Sequence, residues 1–341
     1  MRGSDRYSRR FRTLVFVAIV DAGCADLDAR THADASAPTR TFSEAECLRC
    51  HPDAAAQWER SRHHDAFTNV DFQRSYAREP TPFCRDCHAP GFVRAPALAS
   101  DAARALGVGC LDCHGDGDGI VTGTSGGRDG PHAVRRTDDF GTRACKSCHE
   151  FSFPESSRRP EGTMMQTTMS EHRASEFRDR SCASCHLPST SAGADHSLAS
   201  TRDPANKRAA LQIEAVRVEE GLRLSLSPRG VGHAFPTGDL YRRLELHAEA
   251  LDDDGRLVAE RTRYLGRHFA PYRHADGTLN AAYRWPVPDD RVTAPTEVVL
   301  PLPTTATIRW WVDYERVDER DDLHPERSPL AGEVRLAEGR I

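Results

Sequence analysis

Five times between residues 47 and 186 the chain repeats two cysteines three positions apart with a histidine directly after the second. The sets are Cys47, Cys50 and His51; Cys84, Cys87 and His88; Cys110, Cys113 and His114; Cys145, Cys148 and His149; and Cys182, Cys185 and His186. Two thiols at this spacing can each add to one vinyl group of a haem, and the adjoining imidazole then stands under the iron. Zinc sites also use paired CxxC, but they do not need a histidine after every pair. Disulfides of an exported chain leave the fixed histidine equally unexplained. The motifs therefore predict five haem c groups, with the ten cysteines as thioether donors and the five histidines as proximal iron ligands.

The group on the far side of each iron decides between carrying electrons and doing chemistry. Methionine there raises the potential, but beyond Met1 the chain has only Met164, Met165 and Met169, all in one patch. Histidine is plentiful: 16 in all, 11 of them outside the motifs. That is enough for every iron to be bis-histidine and of low potential. His63 and His64 are adjacent, so at most one can face a given iron. His132 follows a glycine-rich loop, His172 stands ten residues before Cys182, and His196 follows the fifth motif. His233 lies in "GVGHAFPTG" at 230–238, either as a turn residue or as a ligand presented to a haem whose cysteines lie elsewhere. His247, His268, His274 and His324 have no motif context and read as surface or structural residues. An open iron position lined by acid and base groups would instead mark an enzyme.

These ligands need a scaffold, and the composition limits it. A chain of 341 residues suggests two domains. Only 38% of it is apolar, a thin supply for a core of that size, so packed porphyrins are expected to form much of the interior of the motif region. After residue 205 the pattern changes. "LQIEAVRV", "LRLSLS", "LELHAEALDDDGRLVAE", "TEVVLPLP" and "ATIRWWVDYERV" alternate apolar and polar residues as half-buried strands do, with Ile308, Trp310, Val312 and Tyr314 on one face. The fold expected is multidomain: a mainly α and irregular multihaem cytochrome domain over 42–204, then an all-β immunoglobulin-like sandwich over 205–341. Ahead of these, arginines, the apolar run "LVFVAIV" and small residues read as an export signal over 1–24, with 25–41 as a tether. "AGC" ending at Cys24 is like a bacterial lipoprotein cleavage site, though Asp21 departs from it, so lipidation of Cys24 and plain cleavage both stay open. Location in the periplasm or cell envelope follows, with a membrane tether if Cys24 is lipidated. A net charge of −5 without a basic run argues against nucleic acid as a partner.

"CLRCHPDAAAQWERSRH", "TPFCRDCHAPG", "GVGCLDCHGDGDGIVTG" running to "GPHAV", "CKSCHEFSFP", and "MQTTMSEHRAS" leading to "CASCHLP" together resemble a broad group of multihaem cytochromes c. The group includes hydroxylamine oxidoreductase, cytochrome c nitrite reductase and the small tetrahaem electron carriers of ammonia oxidation. This chain is most similar to exported members with a β-rich C-terminal part, over most of residues 41–300. The resemblance implies His63 instead of His64 as a distal ligand, and likewise His132, His196 and His233. It does not cover His172, where the group often has Trp, and Leu187 stands where the group often has Met. The fifth distal ligand stays open among His172, His64 and a methionine. No CxxCK motif, the mark of the nitrite reductases, is present. The function implied is exported electron transfer between redox partner proteins through five haems. The alternative is an oxidoreductase acting on a small nitrogen or sulfur species at one open haem.

Overall fold

The computed structural model describes residues 43–341 apart from 92–99, 117–118, 124–131, 133, 155–159, 192 and 304–305. The export signal, the tether and Cys24 lie outside the described residues.

The five motifs fall on or at the ends of short helices: Glu44–Cys50, Arg85–His88, Cys110–His114, Phe140–His149 and Cys182–His186. Residues three apart on a helix are neighbours on one face, so each cysteine pair can point its two sulfurs the same way. The first helix is held by a capping box between Ser43 and Glu46. None of the five helices buries a residue of its own. Apolar burial in this half is confined to scattered side chains, among them Trp58, Phe67, Val121 and Met169.

The second half is built from strands β1 (Leu211–Val218), β2 (Gly221–Pro228), β3 (Arg242–Leu251), β4 (Leu257–Gly266), β5 (Phe269–Arg273), β6 (Leu279–Pro286), β7 (Thr296–Pro301), β8 (Thr307–Val317) and β9 (Leu330–Arg340). They form a three-stranded sheet in the order β7-β2-β1, a four-stranded sheet in the order β4-β3-β8-β9, and the hairpin β5-β6. Alternation decides which face is covered. Leu222, Leu224 and Leu226 of the first sheet share one buried cluster with Leu244, Leu246, Ala248, Ile308, Trp310 and Val312 of the second. Two carboxylates of β8 are also buried and paired: Asp313 with Arg335, and Glu315 with Arg243, each at 2.6 Å. Burial pushes the Glu315 carboxyl up to about 7. Arg243→Ala is therefore expected to cost only about 1–3 kcal/mol at neutral pH, because the orphaned acid can take up a proton. Urea unfolding at pH 6 and pH 8 checks this, with the larger loss at pH 8.

By its contacts Arg40–Ile341 is one unit, and the two halves are tied together by specific polar bonds. Arg267 donates to the carbonyls of Met164 and Met165 at 2.6 and 2.7 Å. Arg316 pairs with Asp71 at 3.4 Å, and Arg291 with Glu171 at 2.8 Å.

Candidate metal centres

Four motif histidines face a histidine from elsewhere in the chain. Ring centroids are 6.2 Å apart for His51 and His132, 6.4 Å for His149 and His63, 6.3 Å for His114 and His196, and 6.2 Å for His186 and His233. Two imidazoles on opposite sides of one metal ion, each at a metal–nitrogen distance of about 2 Å, put their centroids roughly 6 Å apart. Each pair thus has the spacing to clasp one iron. The pairing is not sequential: His63 follows the first motif closely but faces the histidine of the fourth, and the histidine of the first faces His132.

Local structure aims these rings. Trp58 Nε1 donates to Val108 O at 2.8 Å, and buried Ser61 accepts the His64 amide at 3.2 Å, which fixes the segment carrying His63. Gly107, at φ +62°, closes against the His63 and His64 carbonyls where a Cβ would collide. The Nδ1 atoms of His88, His114, His196 and His233 bond to the carbonyls of Ala66, Val121, Ala194 and Ala234 at 2.6, 2.9, 2.8 and 3.0 Å. With Nδ1–H donated to a carbonyl, Nε2 is left for a metal, the usual arrangement for a ligating histidine. Burial lowers the pKa of His63, His88, His114, His186 and His233, and that of His149 to about 4. These rings are therefore neutral at physiological pH, as ligation requires.

The cysteines of different motifs meet in pairs. Cys47 and Cys110, Cys87 and Cys148, and Cys145 and Cys182 lie within hydrogen-bond reach. The partner thiol pushes Cys148 down to about 7 and Cys182 to about 6, toward the reactive thiolate. The first motif therefore abuts the third, the second abuts the fourth, and the fourth abuts the fifth. Glu44 accepts the Cys110 and Leu111 amides at 2.9 and 3.0 Å, so its carboxylate joins the sulfurs of Cys47 and Cys110 in a cluster within 4.8 Å. The cluster takes one cysteine from each of two motifs and leaves Cys50 and Cys113 outside it. That is how two abutting attachment helices would look, and a zinc site that splits both motifs fits less well.

His88 differs from the other motif histidines. Its ring stacks on Phe72 at 3.8 Å and 14°, and among the described residues no imidazole pairs with it. The other candidates for a fifth distal ligand have other neighbours. His172 sits beside the fifth motif, near enough to Gly232 that a Cβ there would come within 3.1 Å of its ring. His64 packs edge-on against Trp58 at 4.4 Å, and Met169 is buried in the Thr168–Ala174 helix.

Two functional residues had no signal in the sequence. Glu171 accepts the Ala234 amide at 3.2 Å and the Thr237 hydroxyl at 2.5 Å, while Arg291 pairs with Glu171 and donates to Pro236 O at 3.2 Å. Together they hold both sides of the bend that carries His233. Glu171 stands in a recognisable motif, but no spacing reveals a bond to a loop 63 residues downstream.

Two comparisons with known proteins found a match. Residues 46–115 match the family described as cytochrome c554 and c-prime. The first comparison supports a multihaem cytochrome c. The second is a structural likeness to a penta-haem cytochrome c552 from Thermochromatium tepidum, at 20% sequence identity and a TM-score of 0.66, covering 89% of this chain and 100% of that one. At that identity the likeness establishes the shared fold. Among curated proteins none matches the chain.

Proposed function

We propose that this chain is an exported pentahaem c-type cytochrome that passes electrons between redox partner proteins. The family match and the penta-haem neighbour support five haem c groups, one on each motif. Four irons are bis-histidine and of low potential: His51 with His132, His149 with His63, His114 with His196, and His186 with His233. The observation that carries this reading is the set of four imidazole pairs at 6.2–6.4 Å. Cys113 of the third motif also acts on Cys145 of the fourth, so electrons run along the first, third, fourth and fifth haems, with the second joined at the fourth. The two strand sheets act as an immunoglobulin-like sandwich that presents His233. The protein works in the periplasm or cell envelope, tethered if Cys24 is lipidated.

Four motif histidines have an imidazole partner while none pairs with His88 among the described residues, which supports a second reading, in which the second haem is open and acts on a small nitrogen or sulfur species. One pair of measurements tests both. Intact mass is expected to show five haems, and electron paramagnetic resonance to show low-spin ferric signals from four of them. A haem ratio well below five, or mostly high-spin iron, refutes the main reading. A single high-spin signal that shifts on adding nitrite or hydroxylamine favours the second.

A further inference from the structure

On the outer face of the four-stranded sheet, a histidine and two glutamates come together across β3 and β4. Along β3 the buried Leu246, Ala248 and Ala250 alternate with His247 and Glu249, which face away from the core. Glu249 and Glu260 of β4 are direct cross-strand partners, a position in which like charges repel. An imidazole nitrogen of His247 and one carboxylate oxygen from each glutamate lie within 4.8 Å of one another. Arg309 answers only part of this negative charge. Its Nε donates to Glu249 Oε2 at 2.7 Å, while Glu249 Oε1 faces His247 Nε2 at 3.9 Å. The exposed Glu260 carboxylate has no hydrogen bond or ion pair among the described residues.

The imidazole is oriented for a metal. His247 Nε2 is buried with no hydrogen-bond partner, and a buried polar atom left unmatched is costly. On the other side of the ring, Nδ1 lies 2.7 Å from the hydroxyl of Thr262, its direct cross-strand partner. The ring itself stacks on Trp311 at 4.2 Å and 18°. With Nδ1–H donated to Thr262, Nε2 turns a lone pair toward two carboxylates, and a cation satisfies all three. An imidazolium shared between Glu245 and Glu249 fits less well, because its Nε2–H finds no acceptor: Glu249 at 3.9 Å is beyond hydrogen-bond reach. Two donors each about 2.0–2.1 Å from one ion stand at most about 4.2 Å apart. The His247–Glu249 distance already meets that limit, and rotation of the exposed Glu260 side chain brings in the third donor. Thr262 then supplies the hydrogen bond that ligating histidines usually make through their other nitrogen. Imidazole with two carboxylates suits zinc and its first-row neighbours, whereas calcium and magnesium take oxygen donors. We propose that His247, Glu249 and Glu260 bind one divalent cation of the zinc class, with water in the remaining positions, tying the edge strand β4 to β3. The site shares no residue with the five motifs, so it stands apart from the haem reading.

Zinc chloride alone, added to chelator-washed full-length holoprotein, tests it by equilibrium dialysis with elemental analysis. The wild type is expected to hold one zinc per chain that an excess of magnesium or calcium does not displace. His247→Ala and Glu260→Gln are each expected to weaken binding at least about tenfold, and Thr262→Val about tenfold through loss of the ring's support. His324→Ala removes another histidine beside a glutamate, Glu326 at 3.4 Å, and leaves zinc binding unchanged. Glu260 is exposed, so Glu260→Gln keeps the fold, which circular dichroism checks, and it decides the matter if His247→Ala unfolds. X-ray absorption at the zinc edge is expected to show nitrogen and oxygen donors at about 2.0–2.1 Å and no sulfur at about 2.3 Å, which separates this site from the Cys47 and Cys110 cluster. Wild-type affinity in Glu260→Gln or in a folded His247→Ala overturns the proposal. So does the absence of zinc binding, sulfur in the zinc shell, or displacement by magnesium or calcium, which would make the cluster an ordinary acidic patch.

Discussion

Replacing His233 with alanine is expected to turn one low-spin ferric haem high-spin while the haem count stays at five. The His233 ring lies within 12° of parallel to His186 at 6.2 Å, and its Nδ1 bonds to Ala234 O, leaving Nε2 for the iron. Removing the imidazole leaves a methyl group that cannot ligate. Covalent attachment through Cys182 and Cys185 does not depend on the distal side, so the haem is kept. His172 is a neighbour that could take its place, because the bend packs against it at Gly232. The single variant and His172→Ala/His233→Ala are therefore measured together by electron paramagnetic resonance and intact mass. If the double variant keeps all the low-spin intensity of the wild type, His233 is only a turn residue and the strand half has no part in iron ligation.

The attachment sites were legible in the sequence because thioether chemistry is local: two cysteines and a histidine within five residues are the site. Strands were legible for a similar reason, since alternation along β2 and β3 puts Leu222, Leu224, Leu226, Leu244 and Leu246 in the buried cluster. On β8 the alternation breaks. Asp313 and Glu315 are buried, and the pairing with β9 shifts register between Val312 and Asp313, which a period-two reading cannot anticipate. Pairing between irons and distal histidines is a tertiary property. Nothing local shows that His63 reaches past its own motif to His149, or that His172 falls beside the fifth motif. Counting histidines established that enough were present; only the fold shows that none of them pairs with His88 among the described residues. The buried supports were least legible, since Glu171 and Arg291 are 120 positions apart in sequence.

Glu171→Ala is expected to be the most damaging single change outside the motifs. Arg291 is 5% exposed and Glu171 10%, and removing one partner of a buried ion pair typically costs about 3–5 kcal/mol because the other charge is left uncompensated. Asp289, also bonded to Arg291 at 2.6 Å, is more exposed and offsets part of that loss, which puts the expected value near the lower end, about 3 kcal/mol. The same change frees the Ala234 amide and the Thr237 hydroxyl, and with them the bend that aims His233. Glu171→Gln separates the two effects. Its amide oxygen can still accept from the bend but no longer neutralises Arg291, so stability falls while His233 ligation is kept. Denaturant unfolding with electron paramagnetic resonance on the same samples reads both. Glu171→Ala should unfold at lower denaturant and show new high-spin iron, and Glu171→Gln should show the first without the second. A Glu171→Ala protein with wild-type stability and all its low-spin iron would mean that the bend holds His233 by its own backbone alone.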